Sequence, residues 1–233
     1  MNEAAVMNIA WGITGAGHYL AESVAAMKKL SEGNRVCTFV SGAGEEVLRM
    51  YGLFDELQKI SSGDYLEEIF LESGEGKSFP KTGRFMLGRF DLLIIAPATS
   101  NTVAKMVTGI ADSLVTNAAA LANKAGVPVY VLPTDVGDSA QSKMPYTVDR
   151  MLCKHCEICK PRECCPSGAI SDQIDLLKCD GCGLCVDLCD HGAISGGNLR
   201  VVSRNIDTEN IDKLRNQRGF FVLESPGEIG ILL

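Results

Sequence analysis

Nine of the ten cysteines fall within the 37 residues from Cys153 to Cys189, and the first 150 residues contain only Cys37. No other feature restricts the fold as strongly. Disulfides on such spacing belong to small secreted scaffolds, whereas in a reducing compartment a dense run of free thiols points to metal. The thiols also repeat. The first unit reads Cys153-x2-Cys156-x2-Cys159 followed by Cys164-Cys165-Pro166-Ser167-Gly168-Ala169-Ile170. The second reads Cys179-x2-Cys182-x2-Cys185-x3-Cys189-Asp190-His191-Gly192-Ala193-Ile194. The leading cysteines are offset by 26 residues and the Gly-Ala-Ile ends by 24, so the first unit carries two extra residues before its fourth ligand.

This arrangement resembles the bacterial-type two-cluster ferredoxin, over about 45 residues. A Cys-x2-Cys-x2-Cys loop wraps three corners of a cubane, and its backbone amides point at the sulfurs. In that family the fourth, distant cysteine ligates the other cluster. Carried over, the resemblance implies two [4Fe–4S] clusters. One is held by Cys153, Cys156, Cys159 and Cys189, the other by Cys179, Cys182, Cys185 and Cys165. Cys164 competes for the last position; Cys165 is preferred because it directly precedes the Pro-x-Gly-Ala-Ile segment that aligns with Cys189. Asp190 stands where the family has proline. Zinc is the competing metal, since paired Cys-x2-Cys motifs also bind it, but zinc knuckles have no reason to use three cysteines per loop, twice.

Upstream, short apolar runs alternate with helical patterns. Strands are expected at 7–13, 35–40, 91–96 and 127–132, with helices near 18–30, 45–51, from 101 and at 112–124. Strands alternating with helices imply a parallel sheet covered on both faces, a three-layer αβα domain. The stretch 72–89, with four glycines and four basic residues, is expected to be a mobile loop. The expected divisions are an α/β domain at 1–150, a two-cluster α+β module at 151–195, and a strand–helix–strand extension at 196–233.

Two segments of the first domain carry chemistry. Gly12-Ile13-Thr14-Gly15-Ala16-Gly17 lies between a strand and a helix, where backbone N–H groups can cradle a phosphate. Pro97-Ala98-Thr99-Ser100-Asn101-Thr102-Val103-Ala104-Lys105 follows a continuous apolar strand, at the strand end where α/β proteins bind ligands. Read without a family, the second is a capped helix start. Together they resemble the homo-oligomeric flavin-containing flavoprotein superfamily, which includes cysteine decarboxylases and flavin prenyltransferases. The resemblance implies FMN, with phosphate and ribityl chain near Thr14, Gly15, Ala16, Gly17 and Ser41. It places the ring near Pro97, Ala98, Thr99, Ser100, Asn101 and Thr102. Lys105 and Asp112 are further flanking candidates. The decarboxylases' catalytic histidine and proline-x-methionine-asparagine motif are not matched: the strand end reads Leu132-Pro133-Thr134-Asp135-Val136, and His18 reads as a helix-start residue or phosphate contact. Cys37, inside an apolar strand, reads as a buried structural thiol.

A flavin domain joined to a two-cluster module resembles the archaeal dihydromethanopterin reductases. That resemblance implies electrons passing from a ferredoxin-like donor through the clusters to FMN, which reduces a dihydropterin, with Asp135 as the candidate pterin contact. It also implies a homo-oligomer. An electron-transfer flavoprotein without an organic substrate is the alternative, and a flavin-dependent decarboxylase is disfavoured by the missing motifs. The 29 acidic against 22 basic residues, a net charge of −7, argue against nucleic acid as partner. No apolar run reaches the roughly 18 residues of a membrane helix, so a cytoplasmic location without membrane partner is expected.

Overall fold

A computed structural model describes residues 6–136, 139–176 and 178–232. In chain order the first domain contains β1 (Asn8–Ile13), α1 (Leu20–Ser31), β2 (Arg35–Val40), α2 (Gly42–Met50), α3 (Phe54–Ile60), β3 (Ile69–Leu71), β4 (Leu92–Ala98), α4 (Ser100–Thr108), α5 (Leu114–Lys124) and β5 (Val129–Pro133). The cysteine region follows with β6 (Ser139–Val148), α6 (Lys160–Cys164), α7 (Leu184–Leu188) and β7 (Ile194–Val202). The chain ends with α8 (Asn205–Arg215), β8 (Phe220–Val222) and a 3₁₀ turn at Pro226–Ile231.

Six strands form one parallel sheet in the order β3-β2-β1-β4-β5-β8. Every residue of β4 is buried, as a central strand covered on both faces requires. Alternate residues feed two cores. On one face Phe39, Leu93, Ile95, Val129 and Val131 pack with Val103, Val115 and Leu214 from α4, α5 and α8. On the other, Trp11, Ile13, Val40 and Ile94 pack with Leu20, Val24 and Leu48 from α1 and α2. Trp11 carries its polar atom into that core by donating Nε1–H to the Ala96 carbonyl at 2.9 Å. The result is the expected three-layer αβα domain. Among the described residues no helix is long and apolar enough to cross a membrane.

One expectation is corrected by the packing. The segment 72–89 is fixed to the core rather than loose: Phe85 is fully buried, and Phe79 and Phe90 nearly so, around Phe39 and Phe70. Glu68 and Arg84 close it with a two-pronged ion pair at 2.8 and 2.9 Å. Its glycines gave the segment a loop composition, but spaced aromatics supply the anchors. Residues 196–233 pack on the first domain. β8 adds to β5 as the parallel edge strand, and α8 buries Ile211 and Leu214 beside α4. The cysteine region is therefore inserted into the crossover between β5 and β8. Its stem is the antiparallel ribbon β6–β7.

Candidate functional site

The cysteine module is built twice. Asp149 O accepts from Cys153 N at 2.9 Å, and Asp175 O accepts from Cys179 N at 3.0 Å. The residue before the second cysteine is left-handed in both units, His155 at φ 49° and Gly181 at φ 75°. Ala169 N donates to Cys165 Sγ and Ala193 N to Cys189 Sγ, each at 3.4 Å. Between these pairs Gly168 and Gly192 both adopt φ 60°, which L side chains rarely tolerate. Val148 pairs with Ile194 as Ile174 bridges Ile170. The internal repeat of the sequence is thus a structural pseudo-symmetry, and it aligns Cys165, not Cys164, with Cys189. Ser167 and the amides behind it hold the Cys165 thiol below its ordinary pKa.

Two cavities take up the thiols. Cys153, Cys156, Cys159 and Cys189 face one. Cys165, Cys179, Cys182 and Cys185 face the other, together with Cys164. The first gathers three sulfurs from one loop and one from the other repeat; the second gathers three from one loop and both Cys164 and Cys165 from the other repeat. No three His, Cys, Asp or Glu side chains among the described residues are close enough to hold a single metal ion, and no disulfide forms among them.

The second site lies at the C-terminal edge of the large sheet. Thr14, Gly15, Ser41, Thr99, Ser100, Asn101, Thr102 and Lys105 line one cavity with Gly42, Ala43, Glu72 and Ser113. Three helix N-termini open onto it, each capped by a hydroxyl. Ser41 Oγ accepts from Gly44 N at 3.1 Å, Thr99 Oγ1 from Thr102 N at 3.2 Å, and Ser113 Oγ from Thr116 N at 3.3 Å. Glu72 Oε2 adds an acceptor for Leu114 N at 2.8 Å. Thr14 locks the two loops together: Oγ1 donates to Pro97 O at 2.8 Å and accepts from Thr99 N at 2.9 Å. Free N–H dipoles, hydroxyls and the Lys105 ammonium converging on one open space suit a phosphorylated ligand such as FMN. Lys105 also pairs with Asp112 at 2.7 Å.

Several expected contacts fall elsewhere. Pro97, Ala98 and Ala16 are buried in the framework and do not line the cavity, and Gly17 faces a neighbouring cleft. The glycines serve chain packing: a Cβ on Gly15 would come within 2.5 Å of the Ala43 Cβ, and one on Gly44 within 2.6 Å of Ile13 O. The phosphate-cradle helix is also different. α1 begins only at Leu20, after a left-handed Tyr19, so the N-termini at the cavity belong to α2, α4 and α5. Glu72 went unnoticed in the sequence as a site residue; Ser113 belongs to the hydroxyl-bearing segment 109–114, just before an apolar helix. Asp135 stands at the end of β5 within hydrogen-bond reach of Thr134, and its charge is felt by His18 and Arg204. Partial burial keeps the His18 imidazole below its ordinary pKa, against the opposing pull of Glu22 and Asp135. Cys37 is buried beside Glu68, with its thiol pushed up to about 12, chiefly by desolvation, and is inert.

A family model described as flavoprotein matches residues 2–146, and a 4Fe–4S binding domain matches residues 172–195. The chain is 56% identical over 230 residues to the dihydromethanopterin reductase (acceptor) of Methanosarcina mazei, covering 95% of this chain and 96% of the relative. It is 48% identical to the protein of the same name from Methanocaldococcus jannaschii, covering 96% and 94%. Among solved structures it is similar to Burkholderia xenovorans DmrB in complex with FMN, described as a cubic protein cage for redox transfer. The TM-score there is 0.63 at 25% identity, covering 96% of this chain and 91% of that one. With its sheet, its strand-end cavity and its doubled cysteine module, the chain belongs to the dihydromethanopterin reductase (acceptor) family of iron–sulfur flavoproteins.

Proposed function

We propose that the chain reduces dihydromethanopterin, or a closely similar dihydropterin, to its tetrahydro form, with electrons arriving from a ferredoxin-like donor through two [4Fe–4S] clusters. The supporting observation is one polypeptide that joins a hydroxyl- and amide-lined strand-end cavity to nine thiols divided four and five between two cavities. When bound, the clusters supply single-electron transfer and FMN supplies hydride transfer to the pterin.

The chain's own residues bind, orient and shield. Ser41 and the α2 N-terminus, with the caps Thr99 and Ser113, receive the phosphate and ribityl hydroxyls, and Lys105 adds a positive charge. Thr14 fixes the spacing of the two loops that enclose the ring, because its hydroxyl both donates and accepts between them. Cys165 takes the fourth place in its set; its sulfur accepts from an amide as Cys189 does, and such bonds favour the thiolate. Asp135, at the strand end next to Thr134, offers a carboxylate to the N–H edge of a pterin. FMN-containing DmrB is described as a cage, and a closed homo-oligomer of this chain is part of the reading.

The test is an anaerobic assay with photoreduced ferredoxin and dihydromethanopterin. Repeated turnover with stoichiometric pterin reduction is expected. Flavin reoxidation only by an acceptor protein would show an electron carrier instead.

A further inference from the structure

The cleft between the two modules indicates where electrons cross. It measures about 260 Å³ and is walled on one side by Gly17, His18, Tyr19 and Tyr51 of the flavoprotein domain. The opposite wall holds Tyr146, Leu176, Cys179, Asp180 and Gly181. Both thiol cavities are lined by module residues alone, but Cys179 of the second set also lines this cleft, which none of Cys153, Cys156, Cys159 and Cys189 does. The two thiol sets are thus unequally placed: one reaches the cleft beside the flavoprotein domain through Cys179, and the other does not.

The cleft is also next to the strand-end cavity. Gly15 lines that cavity and Gly17 lines the cleft, a separation of at most about 7 Å along the chain. α2 spans the same gap, with Gly42 and Ala43 at the cavity and Met50 at the cleft. On the module side Tyr146 fills the space between cleft and thiols. Its ring lies so close to three glycines that a Cβ on Gly183 would meet its hydroxyl at 2.8 Å, one on Gly197 at 2.6 Å, and one on Gly196 its Cα at 2.6 Å. The ring packs against the module's small core, which includes Cys185. The three glycines also sit at positive φ, where a side chain would be strained, and the Tyr146 side chain occupies the room they leave.

We propose that electrons pass between the modules across this cleft, with Tyr146 as the positioning residue. The cluster of Cys165, Cys179, Cys182 and Cys185 is then the one that reduces the flavin, and that of Cys153, Cys156, Cys159 and Cys189 receives electrons from outside. An external one-electron donor is oxidised as the outer cluster is reduced. The outer cluster is reoxidised by the inner one, and the inner by the flavin. Two such passages, with protons from solvent, complete one flavin reduction. The inference rests on the two-cluster reading above.

The experiment uses anaerobically isolated holoprotein with iron and FMN measured first. Photoreduced bacterial ferredoxin serves as the probe, and cluster and flavin bleaching are followed separately by stopped flow. Tyr146→Leu is expected to retain iron and FMN and bleach its clusters at the parent rate, yet slow flavin bleaching by about tenfold or more. Tyr146→Phe, which keeps the ring, is expected to restore the parent rate. Cys182→Ser is expected to leave a cluster that bleaches while flavin stays oxidised; Cys156→Ser is expected to slow entry into both. Unchanged flavin bleaching in Tyr146→Leu, or fast flavin bleaching in Cys182→Ser, would overturn the assignment. Parent protein without iron would instead overturn the two-cluster reading, and this inference with it.

Discussion

The flavoprotein domain and the cysteine module are stabilised by different means. The domain buries two full apolar layers about a parallel sheet, from Trp11 and Ile94 on one face to Phe39 and Leu93 on the other. Among its described residues the module's core cluster is small: Val148, Ala169, Ile170, Ile174, Cys185 and Ile194, with Pro161 and Ala193 also buried. So small a core cannot offset the ordering of some 45 residues, whose backbone entropy alone costs about 1–2 kcal/mol each. The module's fold must be completed by what its thiols bind, whereas the domain's fold is completed by its side chains.

The largest effect should come from extracting the iron anaerobically with a chelator. Hydrogen exchange is expected to lose protection across residues 148–194 while β1, β2 and β4 stay protected; uniform loss would break the contrast. Next, Cys165→Ser should forfeit about half of the bound iron, and Cys164→Ser should keep nearly all of it. Equal losses would return the fourth ligand to an open question. Leu93→Ala should destabilise the domain by about 2–5 kcal/mol without changing iron per folded chain, as read by chemical denaturation and iron analysis. Thr14→Val leaves Thr99 N without its acceptor and should cost about 1–3 kcal/mol, with a weaker FMN affinity measured by flavin fluorescence.

The smallest effect is electrostatic. Hydrogen bonds from Arg84, the foremost cause, hold the Glu68 carboxyl below its ordinary pKa of 4.5. A depressed carboxylate binds fewer protons folded than unfolded, so its contribution is present above that value and lost as pH falls through the folded pKa. Glu68→Gln should flatten the acid limb of the stability curve by about 1 kcal/mol or less.

The two regions also differed in legibility. β2 can be read residue for residue at 35–40, because a run of Val36, Phe39 and Val40 bounded by polar residues has few other uses. The cysteine repeat was legible as a repeat, because its spacing recurs as the paired amide contacts of Cys165 and Cys189 and the positive φ of Gly168 and Gly192. β3 was missed, being only Ile69–Leu71, and so was β6, whose Ser-Ala-Gln-Ser-Lys start lacks apolar alternation and gains its strand from pairing with β7. The start of α2 was hidden in Gly42-Ala43-Gly44, which helix propensity disfavours and which close packing on Gly15 and Ile13 demands. The cavity's Glu72 was invisible because it meets Leu114 N from 42 residues away.

The most direct measurement is an anaerobic determination of iron, acid-labile sulfide and FMN on the intact protein. The account predicts about eight iron, about eight sulfide and about one FMN per chain. Zinc in place of iron, or thiols loaded without any flavin, would contradict it.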